Sequence, residues 1–199
     1  MMRFAAKRRR LPAEWARVPK WAWGTGRGER GAQLFEFALV LPMLCVLAVG
    51  VIDFAQGFIL KQKLTNAARE GARIAVQYNW IDTSQPLPDS IETIGNAVKE
   101  YLANAAIDIS SIDADPTKTG PGEWTYYDGN GDALIVIDRL VPIPVTVGVV
   151  TTNSLGTRVT VSYPYSWSFS QVIGLLSPSA SYSSSFLISS DVVMRQLTN

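Results

Sequence analysis

From residue 37 to residue 52 the chain carries no charge, and from 37 to 60 its one charged residue is Asp53. No other stretch limits the fold so strongly. A helix that crosses a bilayer needs about 20 mostly apolar residues, and the run reaches that length when Asp53 lies near a membrane surface. A helix of a soluble protein keeps a polar stripe, which residues 37–52 lack. The segment is therefore read as a membrane-spanning helix and not as a buried core helix. On this reading Asp53 marks the outer boundary, Phe54 and Phe58 are interface aromatics, and Lys61 and Lys63 stand in water.

The summed charge of +1 conceals a division. Ahead of Ala32 stand nine basic residues: Arg3, Lys7, Arg8, Arg9, Arg10, Arg17, Lys20, Arg27 and Arg30. Only Glu14 and Glu29 oppose them, and the remaining chain has nine basic residues against fifteen acidic ones. Positive charge beside a spanning helix stays on the cytoplasmic side. The predicted orientation is N-terminus in, with everything after Ile52 outside. A basic arm also suits nucleic acid, but the adjoining apolar helix already accounts for the charge, so no nucleic-acid partner is expected. Trp15, Trp21 and Trp23 suit an arm lying on the membrane surface, where aromatic rings favour the headgroup region.

Catalysis is tightly restricted. The chain has no histidine and one cysteine, Cys45, inside the apolar run. Ser-His-Asp and Cys-His mechanisms are thereby excluded within the chain, and no intrachain disulfide can form. The glycines at 24, 26, 28 and 31 make no phosphate loop, because no strand precedes them and no Gly-Lys-Ser/Thr follows. The segment Asp128-Gly129-Asn130-Gly131-Asp132 matches the start of a calcium loop, yet Arg139 stands where the twelfth-position acid belongs. A tight turn explains it better. Glu123, Asp128, Asp132 and Asp138 near Trp124, Tyr126 and Tyr127 are read as a solvated face, not as a sugar site with paired carboxylates. No catalytic residue, metal or cofactor is expected, and the chain is not read as an enzyme.

The long helix is expected to start near Ala32 and to kink at Pro42, which removes one backbone hydrogen bond. Beyond Lys61 its pattern becomes amphipathic. Leu64, Ala67, Ala68, Gly71, Ala75 and Tyr78 fall on one face, while Lys63, Asn66, Glu70, Arg73 and Gln77 fall on another. Residues 82–89 read as a loop. A second helix over 90–106 would bury Ile91, Ile94, Val98, Tyr101, Leu102 and Ala105. Residues 108–122 read as a second loop. Strands are predicted at 123–127 and 133–139 around the Gly/Asn turn. Pro142 and Pro144 mark an edge or crossover. Further strands are predicted at 157–165 and 181–194, separated by a loop at 167–178 with a short helical turn at 171–176. The fold class is α+β: a long N-terminal transmembrane and amphipathic helix on a small antiparallel sheet with one further helix. The expected divisions are a basic cytoplasmic leader (1–31), the transmembrane part of the helix (32–60) and an extracytoplasmic domain (61–199).

One part of the chain also carries a family pattern. Gly31 is followed by Ala32, then by Glu36 as fifth residue of a chain beginning at Ala32, then by Phe37. Next come Ala38-Leu39-Val40-Leu41-Pro42, the apolar run closing on Ile52-Asp53-Phe54, and Leu64-Thr65-Asn66-Ala67-Ala68-Arg69-Glu70-Gly71-Ala72-Arg73. This stretch, about a quarter of the chain, resembles the TadE-like family, pilin-like proteins of Tad (Flp) pilus assembly. The resemblance implies cleavage after Gly31 by a prepilin peptidase on the cytoplasmic face, which frees the amine of Ala32. It implies that Glu36 compensates such an amine on a neighbouring subunit, with Phe37 and Pro42 in the same assembly segment. Its implied partners are other pilin-like subunits, the assembly platform, the peptidase and inner-membrane lipid. It places the protein in the inner membrane, single-pass, with its C-terminal domain in the periplasm or in the pilus. The chemistry agrees: a carboxylate at the start of a helix gains from the N-terminal dipole, and in hydrocarbon it is costly unless paired. Glu36 could instead stay among the headgroups. The expected function is a membrane-anchored minor pilin or pseudopilin. The alternatives are a bitopic protein with a ligand-binding or sensing outer domain, and a secreted enzyme, its soluble domain released after Ala48-Val49-Gly50, which imitates a signal-peptidase site.

Overall fold

The computed structural model describes residues 28–78, 84–169 and 185–196. The expectations for the basic arm, for the helical turn at 171–176 and for the strand start at 181–184 lie outside these residues. The elements are α1 (Gly28–Ala75), α2 (Asp89–Asn104), β1 (Thr117–Gly120), β2 (Glu123–Tyr127), β3 (Ala133–Val147), β4 (Val150–Ser166) and β5 (Ser185–Arg195). The fold is α+β: a long apolar N-terminal helix, one further helix and a five-stranded antiparallel sheet. The chain divides into two compact units, Met1–Cys45 and Val46–Asn199. Only α1 residues are described in the first.

The second unit is a meander, with strand order β1-β2-β3-β4-β5 and every neighbour antiparallel. Register aligns Trp124, Ile137, Val159 and Val192 in one row, and Tyr126, Ile135, Val161 and Ser190 in the next. Strand side chains alternate between faces, so both rows point the same way. That face receives both helices. Leu64, Ala67, Ala68, Ala72 and Ala75 of α1 and Ile91, Ile94, Val98 and Leu102 of α2 complete the buried core with Trp124, Tyr126, Ile135, Ile137, Val159 and Val161. Each large apolar side chain so enclosed contributes about 1.5–3 kcal/mol.

Two glycines let α2 and α1 approach. A Cβ on Gly95 would collide with the Tyr126 ring and hydroxyl, so the bare backbone of α2 is what lies over that tyrosine. A Cβ on Gly71 would lie 2.6 Å from Val98 Cγ2 and 3.1 Å from Val159 Cγ1. At Gly71, then, α1, α2 and β4 meet. Polar groups fix the register of the layers. Lys63 Nζ donates to the carbonyl of Ala105 at 2.6 Å, placing a cation at the C-terminal end of α2. Lys61 Nζ donates to the Ser189 carbonyl, and the Thr65 and Ser190 hydroxyls lie 2.8 Å apart, so α1 is fastened to β5.

Several boundaries depart from the sequence reading. Helix α1 begins at Gly28, not near Ala32, and ends at Ala75. Tyr78 therefore leaves the helical phase and is exposed, while its carbonyl accepts a 2.8 Å bond from Arg139 Nη2. Lys63 is half-buried against α2 and does not stand free in water. Helix α2 stops at Asn104, leaving Ala105 as its C-cap. The expected loop at 108–122 contains a strand, β1. Its side chains are mostly exposed, so no apolar alternation announces it. It forms because Gly120-Pro121-Gly122-Glu123 turns tightly: proline has φ preset for the second turn position, and Gly122 at φ 74° fills the left-handed third position. Pro142 and Pro144 mark an edge, as expected, and not a crossover. They lie inside β3, opposite Leu155 and Asn153. Strand β2 pairs only with Ala133–Asp138 of β3, so both prolines occupy a part of β3 with one free edge, where a missing N–H costs no ladder bond.

The β2–β3 turn is built on Asp128. Its Oδ1 accepts from the amides of Asn130 (2.9 Å) and Asp132 (2.8 Å), and Gly131, at φ 89°, donates to its carbonyl at 3.0 Å. The amide of Asp132 and the other turn donors hold the Asp128 carboxyl below its ordinary 3.8. A depressed carboxyl stabilises the fold at all pH above the ordinary value, and the contribution fades as pH falls through the lowered one. Asp128→Asn keeps an oxygen acceptor but not the charge. Thermal melts are expected to show wild type ahead of Asp128→Asn at neutral pH, the gap closing in acid below 3.8. A gap independent of pH would show that the charge plays no part.

Candidate assembly segment and anchor

Helix α1 changes character along its length. Every side chain from residue 31 to residue 45 is exposed, Gly31, Ala32, Glu36, Phe37, Pro42 and Cys45 among them. Phe35 is 72 % and Met43 75 % exposed, and beyond its chain neighbours and the helix's own backbone no atom lies within 4 Å of a Cβ placed on Gly31. Apolar surface this continuous requires cover in water. From Leu64 onward the helix is buried on one face, with Leu64, Ala67, Ala68 and Ala75 inaccessible and Gly71 at the three-element contact. In length and composition α1 suits a membrane span, and one apolar N-terminal helix fits a single-pass membrane protein.

Asp53 is placed differently from a carboxylate simply standing among headgroups. It is 1 % exposed. The Phe169 amide donates to its Oδ2 at 2.5 Å, and the Tyr165 hydroxyl donates to its backbone carbonyl at 3.1 Å. Around this point lie Phe54, Tyr165, Trp167 and Phe186. Trp167 stacks on Phe186 (centroids 5.2 Å, planes 20° apart) and touches Phe54 at 5.7 Å and Tyr165 at 5.3 Å. The sequence reading placed Phe54 at the interface but missed this cluster. Its trace was present: Tyr163 and Tyr165 alternate in β4, as do Phe186 and Ile188 in β5, so their strands aim them to one side, and Trp167 follows directly after β4.

The second residue missed is Arg139. The alternation of Ile135, Ile137 and Arg139 puts it on the core face, just before the bulge that shifts the register of β3, and it is fully buried. Its bond to Tyr78 sets the guanidinium just past the C-terminal end of α1, where a cation is favoured. The acids and aromatics considered for a sugar site are not brought together. Glu123 and Asp138 face each other across β2 and β3. Trp124 and Tyr126 turn to the opposite, helix-covered face. Thr119 donates to Glu123 Oε1 at 2.7 Å, the Leu140 amide donates to Asp138 Oδ1 at 3.0 Å, and Asp128 serves its turn. Among the described residues no three histidine, cysteine, aspartate or glutamate side chains gather as metal ligands would.

Residues 31–73 match the family model described as TadE-like protein. The match covers the stretch in which the family pattern was read, from the exposed apolar helix to the buried small-residue face. Comparison with curated proteins and with solved structures finds no match.

Proposed function

We propose that this chain is a pilin-like subunit of a Tad-type pilus machine, anchored in the inner membrane by the first half of α1, with its α+β unit in the periplasm. The supporting observation is a coincidence. The family match ends at Arg73, and within it one helix passes from wholly exposed and apolar to buried on its own sheet. Such a helix serves lateral packing: its first half meets lipid before assembly and neighbouring helices after it, while its second half is part of the outer unit's own core. Other pilin-like subunits, the assembly platform and a prepilin peptidase are the partners. The role is assembly, not catalysis. Processing after Gly31 leaves Ala32 with a free amine, and Glu36 supplies the opposite charge to a neighbour's amine within the apolar layer, with Phe35 and Phe37 holding it there.

Glu36→Ala tests the pairing. Removing the charge makes the helix more apolar, so membrane insertion is expected to persist. Assembly is expected to fail, seen as loss of surface pili or of subunit cross-links in cells carrying the remaining machinery. Normal pilus production by the alanine variant would rule the pairing out.

A further inference from the structure

We infer that the aromatic cluster Phe54–Tyr165–Trp167–Phe186 is a membrane seat, by which the outer unit rests on the lipid headgroup layer at the point where α1 leaves the bilayer. The inference rests on membrane insertion of α1 and adds a lipid contact made by the sheet.

The position follows from helix geometry. About 20 residues of helix, at 1.5 Å each, cross the hydrocarbon. Counted from Phe37, just after Glu36, the exit falls close to Gln56, within one turn of Phe54. The side chains that reach α1 from the far half of the chain at this height are aromatic and aliphatic, without charge. A Cβ on Gly50 would lie 3.7 Å from the Phe169 ring, and one on Gly57 would lie 3.9 Å from Tyr165 and from Ile188.

The chemistry fits the same depth. Tryptophan and tyrosine concentrate at the membrane–water boundary because each ring has an apolar body and a polar edge. Phe54 remains 75 % exposed and Phe186 40 % exposed, and Leu187, on the other face of β5, is exposed at the same strand end. Isolated in water these would form an unexplained apolar rim directly continuous with the apolar surface of α1. The segments that form the rim, residues 54–60, 163–169 and 185–190, contain no charged residue. The first charge above it on α1 is Lys61, set where a lipid phosphate would lie. Of the acids near this height, Asp53 is buried with the Phe169 amide on its carboxylate, which lowers the cost of a carboxylate near hydrocarbon, and Asp108, across the cleft from Gln56 and Tyr163, accepts from the Ser110 amide. A strand end carrying only Ser, Pro, aromatic and aliphatic residues, next to a spanning helix, matches a lipid surface better than a polar protein partner.

The full chain would be reconstituted at high lipid excess into phosphatidylethanolamine–phosphatidylglycerol vesicles containing phosphatidylcholine brominated near the headgroup end of its acyl chains. Trp167→Phe keeps an aromatic ring in the stack, so the emission it removes belongs to Trp167. That component is expected to be quenched by brominated lipid and shielded from iodide. Loss of lipid quenching together with quenching by iodide would overturn the seat. A second reading uses a nitroxide at Phe186→Cys in a Cys45→Ser background: oxygen collisions are expected to exceed those of a water-soluble nickel chelate, and the reverse order contradicts the proposal. A nitroxide on native Cys45 separates the two levels. If it reports hydrocarbon while Trp167 and position 186 report water, the seat fails and the anchor stands. If Cys45 itself reports water, the anchor fails.

Discussion

Gly71→Leu is expected to break the junction between α1 and the sheet. Valine is confined at χ1 by its branched Cβ, so Val98 cannot swing away from the first added carbon, which would already lie 2.6 Å from its Cγ2. Val159 closes the other side at 3.1 Å, and Ile94 Cγ2 stands at 3.6 Å. Overpacking of this kind costs about 1–3 kcal/mol or more. The gain in helix propensity on replacing glycine, about 1 kcal/mol at most, does not offset it. For a domain of this size each kcal/mol lowers the melting temperature by roughly 2–4 °C. Limited proteolysis of membrane-embedded protein is the direct assay: cleavage within the outer unit is expected to speed up sharply. Asn66→Leu, an equally large change at an exposed position of the same helix, is expected to leave the rate unaltered. Equal protease resistance of Gly71→Leu and wild type would contradict the packing described.

The same residue shows what the sequence makes legible. A stripe of Leu64, Ala67, Ala68, Gly71 and Ala75 at helical spacing states that something lies very close, without naming it. That it is Val98 on one side and Val159 on the other requires the fold. Continuous features were readable because each position repeats the message. The uncharged run of α1, the 3.6-residue pattern of α2, the alternation of β4 and the Asp-Gly-Asn-Gly-Asp turn are of this kind. Features that depend on pairing were not readable. Strand β1 has exposed side chains and exists because a Pro-Gly turn brings it to β2. Pro142 and Pro144 look like breakers until β2 is seen to end before reaching them. The burial of Asp53 was not readable because its donor, Phe169, lies 116 positions away. Arg139 could have been found from its phase with Ile135 and Ile137, but a charged residue in an inward register is read as an error until a carbonyl is found for it.

Removal of the leader after Gly31 is the second large effect expected. In cells containing a prepilin peptidase the chain is expected to lose residues 1–31, a change in mass and charge too large to miss, since nine of its basic residues depart with the arm. The remaining protein would begin with an amine at the head of an exposed apolar helix, one turn before Glu36. The uncut chain cannot offer that amine to a neighbour, so on the proposed pairing cleavage would have to precede the role of Glu36. Gly31 lies in the first turns of α1 and is exposed, and no side chain or other element lies within 4 Å of where its own side chain would be. A bulky replacement such as Gly31→Leu is expected to leave the basic arm attached and assembly blocked, with the outer unit still folded. Signal-peptidase cleavage after Gly50 would instead cut α1 just before Asp53, and would discard the anchor.

The measurement that decides among these outcomes is the mature N-terminus, read by intact mass and N-terminal sequencing from cells with an active prepilin peptidase, after alkaline carbonate washing of the membranes. An Ala32 start retained in the washed membranes is the result this account predicts. A Val51 start in the soluble fraction, or an intact Met1 or Met2 start in cells that process other pilins, would contradict it.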